Sequence, residues 1–413
     1  MARARAAVGA GSRRLAAVVA EARSGSQAFI ALALNSSTSF VAGAFLGSVS
    51  STFANRPGLL VLVPAAIGLR GNIFTPVGNR LSTAIHTGTF SISRNPRSVL
   101  GQNITAAVVL TIASSVLLGF VAKAIAVALG LTGTIPIADF IVVSTVGGVL
   151  ASLVVLASTV GIAGGAVRFG WDLDDVSAPL VSTLGDVVTL PALWAAAALT
   201  SIAIVTPSIA VVGAAAAVAA VVFAMRSPLD DLPRIVRQSL PVLIIAGGVS
   251  ALAGVAVERR LEPFTTHPAL LVLLPAFLSS CGAIGGILSG RLSTKLHLGL
   301  IEPAAMPKRL ARRDIFVALG LAVPVFAFDG IGAHFLALLI NHRSPGFATM
   351  LGVSMLGGAV AIAFVVVVAY YGTIASFRVG LDPDTYGIPI VTSTVDFTGA
   401  VALVLAIVAV GLS

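Results

Sequence analysis

The chain has 413 residues, 57% of them hydrophobic and only 10% charged, with a mean hydropathy of +1.05, where soluble domains carry about 25% charge. That excludes a soluble globular domain and a disordered chain, and describes an all-α polytopic membrane protein whose constant partner is the lipid bilayer. The net charge of +9 comes from basic residues scattered through short segments rather than clustered with aromatics, so it points to membrane orientation and not to nucleic acid.

In chain order, residues 1–26 form a basic arm with Arg3, Arg5, Arg13, Arg14 and Arg23. Its longest apolar run, LAAVVA, is too short for the core of a signal peptide, so the arm is expected to be cytosolic. Apolar runs long enough to cross about 30 Å of hydrocarbon as helices follow near 27–53, 58–78, 104–130, 137–166 and 178–204. One more lies near 207–225, and five near 238–257, 268–289, 315–341, 346–377 and 387–412, which makes eleven spans. The lone cysteine, Cys281, excludes an intramolecular disulfide and a cysteine metal cluster.

Loop charges orient these spans, because Lys and Arg accumulate on the cytosolic side. With the N-terminus cytoplasmic, 19 of the 25 basic residues fall inside. Arg56, Arg259, Arg260 and Arg343 fall outside, and Arg70 and Lys123 lie within spans. The expected location is a prokaryotic cell membrane.

The chain repeats itself. At an offset of 211 residues Pro57, Pro64 and Gly71 meet Pro268, Pro275 and Gly282, and NRLSTAIHTG (79–88) meets GRLSTKLHLG (290–299). At 210 residues Ser144, Gly147, Gly148, Arg168 and Asp186 meet Ser354, Gly357, Gly358, Arg378 and Asp396. Each copy holds five spans, an odd number, so direct fusion would invert the second; a helix at 207–225, without counterpart, restores its orientation. The expected organisation is a basic arm (1–26), a first five-helix repeat (27–205), a connecting helix and loop (206–237) and a second repeat (238–413). Two parallel repeats form an internal pseudo-dimer able to function as a monomer, with sites near the repeat interface.

Carboxylates at membrane depth cost on the order of 3 kcal/mol, so they face a cavity or a partner. Asp186 and Asp396 each lie seven residues past a proline in the closing span of a repeat, about 10 Å along the helix. Two such carboxylates near one axis repel unless a cation lies between them. The neighbouring Ser182, Thr183, Ser393 and Thr394 give that wall a wet character. The alternative is a structural pairing of each Asp with Lys123 or His334. The acidic clusters holding Asp172 and Asp174, and Asp382 and Asp384, are candidate mouth residues that concentrate cations, or plain solvated loop carboxylates. The second span of each repeat runs into GLRGN or SSCGA, and a break in the helix is expected there, with backbone carbonyls lining a cavity. The polar RLSTxxHxG phrase would follow that break.

At these residues the sequence resembles the MgtE and solute carrier family 41 group of magnesium transporters, above all the fused two-repeat members. The carrying stretches are LLVLVPAAIGLRGNIFTPVGNRLSTAIHTG, its copy LLVLLPAFLSSCGAIGGILSGRLSTKLHLG, and the STLGD and STVD of the closing spans. The resemblance implies a cation pore between two five-helix units. It makes Asp186 and Asp396 the metal-selecting residues, with Gly71, Asn72 and Gly282 along the ion pathway. The Gly-Asn pair of the family is Gly282-Ala283 in the second copy, so the pathway is expected to be asymmetric. No hydrophilic stretch has the length of the family's cytosolic regulatory domains.

The chemistry agrees. Mg²⁺ takes oxygen ligands and keeps most of its water, which suits two carboxylates and some carbonyls, whereas Zn²⁺ or Cu⁺ would draw on His or Cys clusters. Mg²⁺ enters as transported substrate, and no resident cofactor is expected. A cation-coupled exchanger of the same ion fits the same axial acidic site. An intramembrane aspartyl protease is a remote alternative, because the Gly-Asp and Pro-Ala-Leu elements it would need lie on one helix here; the chain is expected not to be an enzyme.

Overall fold

The computed structural model describes residues 28–412 apart from 92, 94, 170–172, 201 and 380–387. The basic arm, Asp172, Asp382 and Asp384 therefore lie outside the described residues, as do the side chains of Asp174 and Ser182. Among the described residues the protein is helical, without strands. In the first half α1 (Ala28–Ser48), a short α2 (Ser50–Ala54), α3 (Leu59–His86), α4 (Val99–Ala128), α5 (Ile137–Phe169) and α6 (Leu173–Ala197) follow one another. After α7 (Val205–Arg226) come α8 (Leu232–Glu258), a short α9 (Leu261–Thr266), α10 (Ala269–His297), α11 (Arg309–Leu339), α12 (Phe347–Val379) and α13 (Ile388–Ala409). Ten of these helices are long and apolar enough to span a bilayer, and the expected eleventh, α6, carries the shorter apolar stretch Thr183–Ala197. The protein is an integral membrane protein.

The second span of each repeat corrects the expected break. Helices α3 and α10 run unbroken through GLRGN and SSCGA to His86 and His297. A helical glycine costs only about 1 kcal/mol, while a continuous helix satisfies every backbone group that lipid cannot. The repeated phrase is thus a helix terminus. Thr83 and Thr294 donate their hydroxyls to Asn79 O and Gly290 O, each at 3.0 Å. Gly88 (φ 70°) and Gly299 (φ 67°) then supply the left-handed residue that closes each helix. Arg80 donates to Asn103 Oδ1 on α4 at 2.7 Å.

The first helix of each half packs on the other half. Helix α1 lies against α10 so closely that a Cβ on Gly43 would stand 2.3 Å from Val272 O. Helix α8 lies against α3 in the same way: a Cβ on Gly254 would stand 2.5 Å from Val61 Cα. Both glycines and both valines are 211 residues apart. Small residues permit such backbone approach where lipid gives no hydrophobic drive, and the crossed helices bind the two halves to each other. Helix α7 packs on α4 and α5, with Gly213 near Thr145 and Val116. Its outer face, including Val211 and Val212, is exposed for lipid.

Candidate functional site

The crossed arrangement leaves a cavity of about 260 Å³ between α3 and α10, reached also by α1, α6 and α13. Along α3 its wall follows the helical period through Gly68, Gly71, Asn72, Thr75 and Asn79. On α10 the wall is Ser279, Gly282 and Ala283, the counterparts of Gly68, Gly71 and Asn72. Gly71 and Gly282 face open space, since a Cβ on either would meet nothing within 4 Å. Asp186 on α6 and Asp396 on α13 both line this cavity, close enough for electrostatic repulsion. One end of the wall is apolar, with Val63, Pro64, Leu274 and Pro275, and toward Asn72 and Asn79 it becomes polar.

Each carboxylate is held by the crossed helix. Asp186 Oδ2 accepts from Ser39 on α1 at 3.1 Å and from Ser279 on α10 at 3.5 Å. Asp396 Oδ2 accepts from Ser250 on α8 at 3.2 Å. Ser39 and Ser250 are again 211 residues apart. Asn35 on α1 donates to Ser279 Oγ at 2.8 Å and also lines the cavity. These bonds orient one oxygen of each carboxylate. Six waters at about 30 Å³ each take less volume than the cavity offers.

A sequence profile of the MgtE family, described as a divalent cation transporter, matches residues 63–196 and 274–406. The chain belongs to the MgtE family. The two matched segments hold α3 to α6 and α10 to α13, so the family unit occurs twice. The protein is similar to solute carrier family 41 member 2 of Xenopus laevis, at 25% identity over 381 residues, covering 85% of this chain and 65% of that protein. With member 2 of Mus musculus the identity is 24% over 383 residues, covering 86% and 64%, and with member 3 of the same species 23% over 381 residues, covering 86% and 75%. The chain thus spans a little under two thirds of the member 2 proteins it matches. A multidrug resistance transporter of the MATE family, in an inward-facing conformation, aligns over 92% of this chain and 93% of its own at 12% identity. Its TM-score of 0.34 carries no argument. The MgtE family is described as a divalent cation transporter, which gives the protease alternative no support.

Within this MgtE-family chain the structure brings Asp186, Asp396, Gly71, Asn72 and Gly282 to one cavity. Thr183 instead meets Thr38 on α1, hydroxyl to hydroxyl at 3.4 Å. Ser393 is buried and Thr394 donates to Ile390 O of its own helix at 2.7 Å; neither is among the residues that line the cavity. Lys123 and His334, the alternative partners for the aspartates, are engaged elsewhere. Lys123 Nζ donates to Thr134 Oγ1 and Ile135 O, both at 2.8 Å, and His334 Nδ1 meets Ser344 Oγ at 2.8 Å. Arg70, fully buried, turns from the cavity to Gly148 O and Ser152 Oγ at 2.5 Å and Ser115 Oγ at 3.1 Å. Sequence reasoning missed Asn35, Ser39, Ser250 and Ser279. The offset of 211 residues that pairs Ser39 with Ser250 was a signal for two of them, but their link to the aspartates crosses between helices and leaves no trace in sequence. Among the described residues no three His, Cys, Asp or Glu gather as a metal cluster.

Proposed function

We propose that the protein moves divalent cations, Mg²⁺ before others, across the membrane along a path between two parallel repeats, with Asp186 and Asp396 acting as one site. The observation that carries this is the convergence of both carboxylates on a single cavity, each oriented by an equivalent serine on the first helix of its own repeat. Two negative charges balance one dication, and the hydroxyls and amides of Asn35, Asn72, Thr75 and Ser279 accept or donate to its waters, which suits an ion that dehydrates reluctantly. The apolar end at Val63 and Leu274 is the barrier in this arrangement. With the N-terminus cytoplasmic, the polar end at Asn79 opens inward. Because both halves of the site lie in one chain, a monomer suffices.

The test is Mg²⁺ uptake into liposomes containing the purified protein, with thermal stability measured in parallel. Asp186→Asn and Asp396→Asn each leave one charge where a dication needs two, and uptake should fall on the order of tenfold or more with little loss of stability. The double variant should be little worse than either single, as expected of coupled residues. Near-wild-type uptake in either single variant would overturn the shared site.

A further inference from the structure

Among the described residues, the most enclosed carboxylate in the membrane lies outside that cavity wall. Asp329 on α11 is 0% exposed, and neither of its oxygens has a hydrogen-bond partner. The hydroxyls of Ser36 on α1 and Ser280 on α10 flank it; they lie 3.0 Å from each other, a bond that uses one of their two hydrogens and leaves the other to the carboxylate. Of the titratable groups, the Cys281 thiol on α10 faces it and is also within electrostatic reach of Asp396. Helix α12 contributes the Ser354 hydroxyl nearby, which is committed to Phe326 O at 2.6 Å. On α11 itself, His334 is engaged with Ser344.

The internal duplication shows that packing does not require this carboxylate. At an offset of 211 residues Asp329, Ser280 and Ser36 correspond to Leu118, Leu69 and Gly247. Those three also meet: a Cβ on Gly247 would lie 3.7 Å from Leu118 Cδ1 and from Leu69 Cδ2. One junction is therefore apolar in the first half and acidic, with two hydroxyls, in the second. An enclosed carboxylate with hydroxyls but no cation beside it is costly to hold charged. A proton removes that charge and needs no space, whereas a metal ion would need a shell of oxygens around it.

We propose that Asp329 is a proton-binding site, and that its proton and the cation held between Asp186 and Asp396 oppose each other's binding. Two helices are common to both sites. Helix α1 sets Ser36 beside Asp329 and, one turn on, Ser39 on Asp186. Helix α10 sets Ser280 beside Asp329 and the adjacent Ser279 on Asp186. Positive charge added at either site raises the cost of adding it at the other, and such coupling is reciprocal. The proton part of the proposal stands on Asp329 alone; the opposition rests on the cation site proposed above.

The experiment is infrared pH titration of the full-length purified protein, following the carbonyl stretch of a protonated, buried carboxyl group, with and without Mg²⁺. Asp186 and Asp396 are enclosed carboxyl groups as well, so the band of Asp329 is the titrating one that remains in the Asp186→Asn/Asp396→Asn double variant and that adding Asp329→Asn removes. No titrating band in that double variant, or one that survives the added Asp329→Asn, overturns the proton site. Adding Mg²⁺ at fixed pH should discharge the band in the wild type and leave it in the Asp186→Asn/Asp396→Asn double variant. If the band is present but indifferent to Mg²⁺, the opposition is overturned while the proton site stands. Failure of the cation reading itself would show separately, as absence of Mg²⁺ uptake in liposomes. Where uptake occurs, the wild type should lose fivefold or more as pH falls through the band's titration, and Asp329→Asn should lose that dependence. Should Asp329→Asn not fold, Ser280→Ala keeps the carboxylate and removes a neighbouring hydroxyl; the band must then titrate at a different pH, and an unmoved midpoint refutes the site.

Discussion

Replacing Gly254 by alanine tests the crossed-helix arrangement on which the site depends. The new Cβ would stand 2.5 Å from Val61 Cα, 2.6 Å from Val61 O and 2.7 Å from Leu60 O. All three are backbone atoms, so no side chain can swing aside. Carbon atoms rest at about 3.5–4.0 Å, so α8 must withdraw from α3 by about 1 Å. Overpacking of this kind costs about 1–3 kcal/mol, and the better helix propensity of alanine returns up to about 1 kcal/mol. A net destabilisation of about 1–2 kcal/mol is expected. The same displacement reaches the site, because Ser250 lies one turn before Gly254 and its 3.2 Å bond to Asp396 does not survive a shift of that size. Mg²⁺ uptake should fall with stability. Gly43→Ala, which places a Cβ 2.3 Å from Val272 O, should behave alike, and Gly320→Ala, with nothing within 4 Å, should not. Thermal unfolding of the detergent-solubilised variants together with liposome uptake reads both effects. If Gly254→Ala were as stable as Gly320→Ala and transported like the wild type, the close packing of α8 on α3 would be refuted.

Two further outcomes follow from contacts away from the cavity. The Glu258 carboxylate at the end of α8 accepts from Gly58 N at 2.6 Å and Leu60 N at 3.2 Å, where α3 begins; Glu258→Ala should lower stability by about 1–2 kcal/mol, as loss of a helix cap does, measured by thermal unfolding. Lys123 is tied to the 134–135 turn and lies 5.6 Å from the Phe140 ring centroid. Lys123→Met should therefore cost about 1 kcal/mol of stability yet leave Mg²⁺ uptake within twofold of wild type, and a collapse of uptake would restore a link between Lys123 and the aspartates.

The sequence by itself determined the membrane class, the span pattern, the duplication and the two closing-span aspartates. Apolar runs and a fixed offset are properties of one dimension, and the cost of a carboxylate in lipid marks Asp186 and Asp396 wherever their neighbours lie. It misled at GLRGN and SSCGA, where clustered glycines suggested a break, because it could not show that the helix continues with glycines turned to a cavity. It also passed over Asp329, whose sequence surroundings, FAFDGIG, show no duplicated signal. Only the tertiary structure decided that α1 and α8 cross to opposite halves, that Ser39 and Ser250 hold the aspartates, and that Asp329 is enclosed with only the hydroxyls of Ser36 and Ser280 beside it. These are relations between segments up to hundreds of residues apart, set by which helix faces can approach. The glycine contacts at Val61 and Val272 govern that approach, and hydropathy cannot encode it.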